Sequence, residues 1–209
     1  MTETDTPPIT TPEEAFALLK RAKLVTLTSS GTGVPSLVEA VAGGPIKGSW
    51  WAHKAGKAIY ALASALDESP DVLTCTIVAG RVTFVHRGLW APLHRTVNDG
   101  EWRTWAECVV PMSAIELLDR VERAKELRLA SPTPQEKKDR DALKRAGLVL
   151  VGQEHTEAGR HESVLRSWRT WQPPPIIQNE ARSMSSDEAQ RRLMAVGATL
   201  FGSRIPKKK

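Results

Sequence analysis

Val72-Leu73-Thr74-Cys75-Thr76-Ile77-Val78-Ala79-Gly80-Arg81-Val82-Thr83-Phe84-Val85-His86 is the stretch on which the reading of the chain turns. Two runs rich in β-branched residues, Val72 to Val78 and Arg81 to His86, are joined by Ala79-Gly80, which predicts a hairpin with a tight turn. Immediately upstream, Asp67-Glu68-Ser69-Pro70 stops a helix, because the residue before a proline avoids the helical region. That helix carries Ile59, Leu62 and Leu66 as its buried stripe, with Lys54 and Lys57 off the stripe. It follows a turn containing Lys47-Gly48-Ser49-Trp50-Trp51. Further back, a helix opening at Pro35 places Leu37, Val38 and Val41 inward and ends at Gly43-Gly44-Pro45. Leu24 to Thr28 is a short strand closed by Ser29-Ser30-Gly31-Thr32-Gly33. Before it, Thr11-Pro12-Glu13-Glu14 opens the first helix with a capping box.

The predicted order over residues 12–98 is helix, strand, helix, helix, hairpin. That is the order of a winged helix-turn-helix, in an α+β and mainly helical chain. After it, Leu89, Trp90, Leu93 and Val97 suggest a further helix, whereas Asn98 to Pro111 resists assignment. Ser113 is read as capping a helix to about Leu129, followed by a charged helix over residues 135–146. Leu148 to Glu154 and His161 to Trp168 read as a second hairpin. Residues 99–171 therefore form either a degenerate second winged helix or a helical subdomain. The flanks are read as a disordered leader over residues 1–11, a stiff linker over 172–184 set by Pro173-Pro174-Pro175, and an amphipathic helix with a basic tail over 185–209.

Composition narrows the class. The 209 residues carry a formal net charge of +5, with 41% hydrophobic residues. That hydrophobic fraction supports a buried core, and the charge favours a polyanionic partner. No apolar run approaches bilayer length and Met1 to Thr11 is polar, so the expectations are a cytoplasmic protein and no membrane partner. Cys75 and Cys108 belong to no CxxC pattern and predict free thiols. There is no phosphate-binding Gly-rich loop with Lys-Ser/Thr, no dinucleotide fingerprint and no nucleophile elbow. Those absences argue against kinases, P-loop NTPases, Rossmann dehydrogenases and α/β-hydrolases.

On a winged helix the third helix enters the major groove and the wing reaches the backbone or minor groove. The candidate nucleic-acid contacts are therefore Lys47, Ser49, Trp50, Trp51, His53, Lys54 and Lys57 around that helix, with Arg81, His86 and Arg87 on the wing. The plain alternative is a solvated helix face and a solvated hairpin. Adjacent tryptophans cannot face the same way. Core packing of both is the default expectation, and a stacking platform is the alternative.

For chemistry, Glu39 stands in the apolar segment Leu37-Val38-Glu39-Ala40-Val41, where half-burial would fit it for general acid or base work. A salt bridge to Lys47 or Arg87 is its ordinary alternative. His155 and His161 flank a turn and would approach each other across a hairpin. A metal held there would need a third ligand such as Glu39, His53 or His86, and the spacing matches no zinc motif. No metal or other cofactor is therefore expected.

Gly48-Ser49-Trp50-Trp51-Ala52-His53, Val85-His86-Arg87-Gly88-Leu89-Trp90 and His155-Thr156-Glu157-Ala158-Gly159-Arg160-His161 together resemble a family of small bacterial winged-helix-like proteins of uncharacterised function. The resemblance implies a fold and no activity. Three functions remain in play on sequence grounds. The first is binding of DNA, in particular duplex DNA, with RNA as a further target. The second is a DNA-repair glycosylase or hydrolase using Glu39, His155 and His161, which would accommodate an extruded base. The third is a protein-interaction module whose C-terminal helix docks a partner or forms a homodimer.

Overall fold

The computed structural model describes residues 7–155 and 161–196. Helix α1 (Pro12–Ala22) starts at a full capping box, Thr11 with Glu14, and stops at Lys23, whose φ of 66° ends the helical path. Strand β1 (Leu24–Thr26), helix α2 (Leu37–Ala42, capped by the Ser36 hydroxyl) and helix α3 (Gly56–Asp67) follow. Strands β2 (Val72–Val78) and β3 (Arg81–His86) close the unit as an antiparallel hairpin, with β1 paired on the other side of β3. Ala79 and Gly80 both turn at positive φ, 48° and 67°, as a two-residue hairpin turn demands. The expected order of elements is present.

Strand periodicity explains how this small sheet is held. Alternate side chains point to opposite faces. Val25 and Phe84 enter one core with Leu19, Leu37, Ile59 and Leu66 of the three helices. Their neighbours Leu24 and Val85 enter a second core with Cys75 and Ile77. The sheet is thus apolar on both faces, which is why its strands read as nearly continuous hydrophobic runs.

The second core is completed by the rest of the chain. A single 3-10 turn (Arg87–Leu89) leads to α4 (Trp90–Val97), α5 (Gly100–Cys108) and α6 (Met112–Ala124). Strand β4 (Glu126–Leu129), helix α7 (Pro134–Arg145), and strands β5 (Val149–His155) and β6 (His161–Ser167) then build a second antiparallel sheet. Its strand order, β4-β6-β5, repeats the β1-β3-β2 order of the first. Another 3-10 turn (Trp168–Thr170) follows, then α8 (Pro175–Ser183) and α9 (Ser186–Met194). The second half therefore repeats helix, strand, helix, hairpin, 3-10 turn and helix, and among the described residues has no counterpart to α2 or to the 3-10 turn Trp50–Ala52 that follows it. Trp90 and Trp171 each terminate the 3-10 turn of their half. They meet edge-on, with centroids 6.2 Å apart and planes at 81°.

Four expectations are corrected. The helix predicted to reach Leu129 ends at Ala124, because Lys125 adopts φ 64° and Glu126–Leu129 pairs with β6. Cross-strand pairing overrides the helix preference of Glu-Leu-Arg-Leu. Ser113 does not cap that helix; its hydroxyl donates to the buried Asp139 carboxylate at 2.8 Å. The predicted linker holds α8, which starts with Pro175 in its first turn and buries Ile177 and Ala181. The predicted leader is anchored at its end, where the Ile9 N–H donates to the Ala40 carbonyl at 2.9 Å. Residues 1–6 and the basic tail from 197 lie outside the described residues. Helix α9 spends its apolar stripe, Ala189 and Leu193, inside the second core against α4. Arg95 donates to the Met184 carbonyl at 3.0 Å and Ser186 to Asp99, fastening the same junction. No described helix is long and apolar enough to cross a membrane.

Candidate nucleic-acid interface

The loop from Gly43 to Ala55 sets the surface around the start of α3. Gly43 and Gly48 turn at φ 78° and 82°, and residues Trp50–Ala52 form a 3-10 turn. This turn is pressed onto the helix at Gly56. A β-carbon there would lie 2.9 Å from both the Trp50 and the Trp51 carbonyl oxygens, so only glycine fits. The Ala55 N–H donates to His53 Nδ1 at 3.2 Å, which leaves the Nε2 of a neutral His53 carrying the proton. His53 thus serves as a local brace of the loop.

The two tryptophans divide their roles. Trp50 is half-buried and packs against the first core. Trp51 is 63% exposed and stacks on Trp50, centroids 4.2 Å apart and planes at 23°. Core packing of both rings is therefore corrected to one anchor and one exposed platform. Tyr60, 53% exposed on the first turns of α3, extends the group, its ring 5.4 Å from Trp51. Sequence reasoning missed Tyr60. The signal was its position between Ile59 and Leu62, which the helical period turns outward. Lys47, Ser49, Lys54 and Lys57, on the same loop and the first turn of α3, are exposed. The chain has no carboxylate between Glu39 and Asp67, and no described carboxylate pairs with these lysines.

The wing candidates stand apart. Arg81 and His86 are the two ends of β3, about 17 Å apart at roughly 3.3 Å per residue. Arg81 is exposed at the hairpin tip, which α7 covers: a β-carbon on Gly80 would lie 3.2 Å from Arg145 Cγ. Burial there pushes the neighbouring Lys144 below the usual lysine range, and Arg140 and Arg81 add to the effect. Arg87 is engaged in a half-exposed ion pair with Asp71 at 2.8 Å. His86 caps the following 3-10 turn, its Nδ1 accepting the Gly88 N–H at 3.1 Å. Burial first, and then the charge of Lys23, hold its imidazole below the ordinary histidine range. His53 precedes α3 and His86 pairs with Val72, just beyond its end. The 12 residues of α3 therefore separate the two histidines by about 18 Å.

The catalytic candidates do not converge on this surface as a group. Glu39 is half-buried on α2, against α3, with its own N–H held by Ser36. His155 and His161 lie opposite one another in register at the loop end of the β5-β6 hairpin, on the other sheet. Residues 156–160, which join them, lie outside the described residues. Among the described residues no group of three or more His, Cys, Asp or Glu side chains is arranged to hold a metal. A small cleft beside α5 is lined by Asn98, Trp102, Arg103, Trp168 and Arg169. Its two arginines are tied to Glu122, at 3.0 and 3.3 Å. Comparison with protein-family models, curated proteins and solved structures finds no match to the chain, so the reading of these surfaces rests on their own chemistry.

Proposed function

We propose that the protein binds nucleic acid through the loop and first turns of α3. In this reading residues 12–86 are a winged-helix unit, and the second half is a degenerate copy without its second helix. The observation that carries the proposal is the carboxylate-free stretch around Lys47, Lys54 and Lys57 at the start of α3. Exposed lysines without acidic partners suit phosphates, and the positive end of a helix dipole adds to them. The wing enters this reading only as a support for the sheet, because its tip lies under α7.

Fluorescence anisotropy with labelled oligonucleotides tests the proposal. Each lysine that neutralises a phosphate contributes about 0.7 to 0.9 to the slope of log affinity against log salt. Lys47, Lys54 and Lys57 together account for a slope of about 2 to 3, or roughly a twenty- to fortyfold loss between about 50 and 200 mM salt. Substituting all three by alanine removes that part of the slope. Binding that ignores salt, or a slope unchanged in the triple variant, refutes the assignment.

A further inference from the structure

The outer stripe of α3 reads Lys57, Tyr60, Ala61 and Ser64, spaced as one helical face. A helix that reads base edges in the major groove does so mostly with arginine or lysine on guanine and asparagine or glutamine on adenine. Of these, residues 56–67 contain Lys57 alone. What the surface offers is ring area. Trp51 is held at a fixed tilt by its stack on Trp50, which itself packs against the first core, and Tyr60 stands beside it. Holding an exposed tryptophan in one orientation removes ordering entropy that a ligand would otherwise bear.

We infer that this surface takes unpaired bases of a nucleic-acid strand, stacking them on Trp51 and Tyr60 while Lys47, Lys54 and Lys57 hold the flanking phosphates. The inference rests on the nucleic-acid reading above and specifies its ligand. Charge decides against a protein occupant. The centre of a protein interface is depleted in lysine, whereas here Lys54 and Lys57 are exposed between Trp51 and Tyr60 in the sequence and no carboxylate lies between Glu39 and Asp67. An aromatic polyanion satisfies both the rings and the lysines. Base-on-ring stacking also tolerates any base, so the site binds single strands with little sequence preference.

The test uses the full chain and anisotropy titrations at one fixed salt concentration. The probes are a short oligothymidylate, an abasic strand of the same length and charge, and a duplex of that length. The expected result is that the oligothymidylate binds about ten- to a hundredfold more tightly than the abasic strand, the effect of one base stack. It also binds more tightly than the duplex. Trp51→Ala removes most of the oligothymidylate's advantage over the abasic strand, Tyr60→Ala removes a smaller part of it, and Trp51→Phe restores most of the difference. Both positions are more than half exposed, so the variants remain folded. Equal binding of the abasic strand and the oligothymidylate, or tighter binding of the duplex, overturns the inference and leaves salt-dependent nucleic-acid binding standing. Absence of binding to all three probes overturns both.

Discussion

Replacing Gly56 with alanine sets two effects against each other. Alanine is the better helix former, by up to about 1 kcal/mol. Its β-carbon, however, would sit 2.9 Å from two backbone carbonyl oxygens, those of Trp50 and Trp51. Reaching an ordinary contact requires the 3-10 turn to retreat by roughly half an ångström, and this kind of overpacking costs about 1 to 3 kcal/mol. The clash wins, because both obstructing atoms are main chain and cannot rotate away. A net loss of about 1 to 2 kcal/mol lowers the melting temperature of a chain this size by roughly 2 to 8 °C. Urea unfolding followed by circular dichroism reads the stability directly. The same retreat disturbs the Trp50–Trp51 stack, so the preference for an oligothymidylate over an abasic strand declines in parallel. A Gly56→Ala protein that unfolds at higher urea than the wild type, with its base preference intact, refutes the close approach on which the platform depends.

Three further outcomes follow from packing and ionisation. Leu193→Ala, at a side chain 1% exposed in the second core, costs about 2 to 5 kcal/mol in urea unfolding; a loss below about 1 kcal/mol would show α9 to be peripheral. His86 and His94 both have pKa values held below the ordinary histidine range by burial. The unfolded chain therefore takes up protons first as pH falls through the ordinary range near 6.5. Stability is fully present above that pH and falls as pH drops toward the folded-state values, and His86→Gln makes the decline shallower. Unfolding free energies that rise between pH 7.5 and 5 would contradict this. Burial pushes the Cys75 thiol up to about 12, while Cys108 is exposed. A thiol reagent should label Cys108 in the native protein and Cys75 only after denaturation, a pattern that peptide mass mapping reads directly.

The elements that were legible in the sequence are those whose local signals agree with their tertiary roles. The β2-β3 hairpin has runs rich in β-branched residues and a turn that tolerates positive φ, and α1 has its capping box. Strand β4 was hidden because Glu-Leu-Arg-Leu favours a helix, and only the facing residues of β6 make it a strand. Helix α8 was hidden behind the proline run, although Pro175 in its first turn is an ordinary helix start. At the interface, the lysines and the tryptophan pair were visible. The split of Trp50 from Trp51, the outward turn of Tyr60 and the capture of Arg87 by Asp71 were not. Each depends on where a neighbour from another element stands, and no local window contains that information.

The first sheet has a consequence for how the molecule is made. Leu24, Val85, Cys75 and Ile77 face a core supplied mainly by residues beyond Leu89. During synthesis the first unit emerges with that face uncovered. The segment ending at Leu193, which completes the cover, arrives on the order of ten seconds later at about 5 to 20 residues per second. Over that interval the nascent chain presents an apolar sheet surface of the kind that chaperones bind and that aggregation exploits. A protein cut after β3 keeps that surface permanently. The two halves, though they repeat one topology, are therefore obliged to fold as partners.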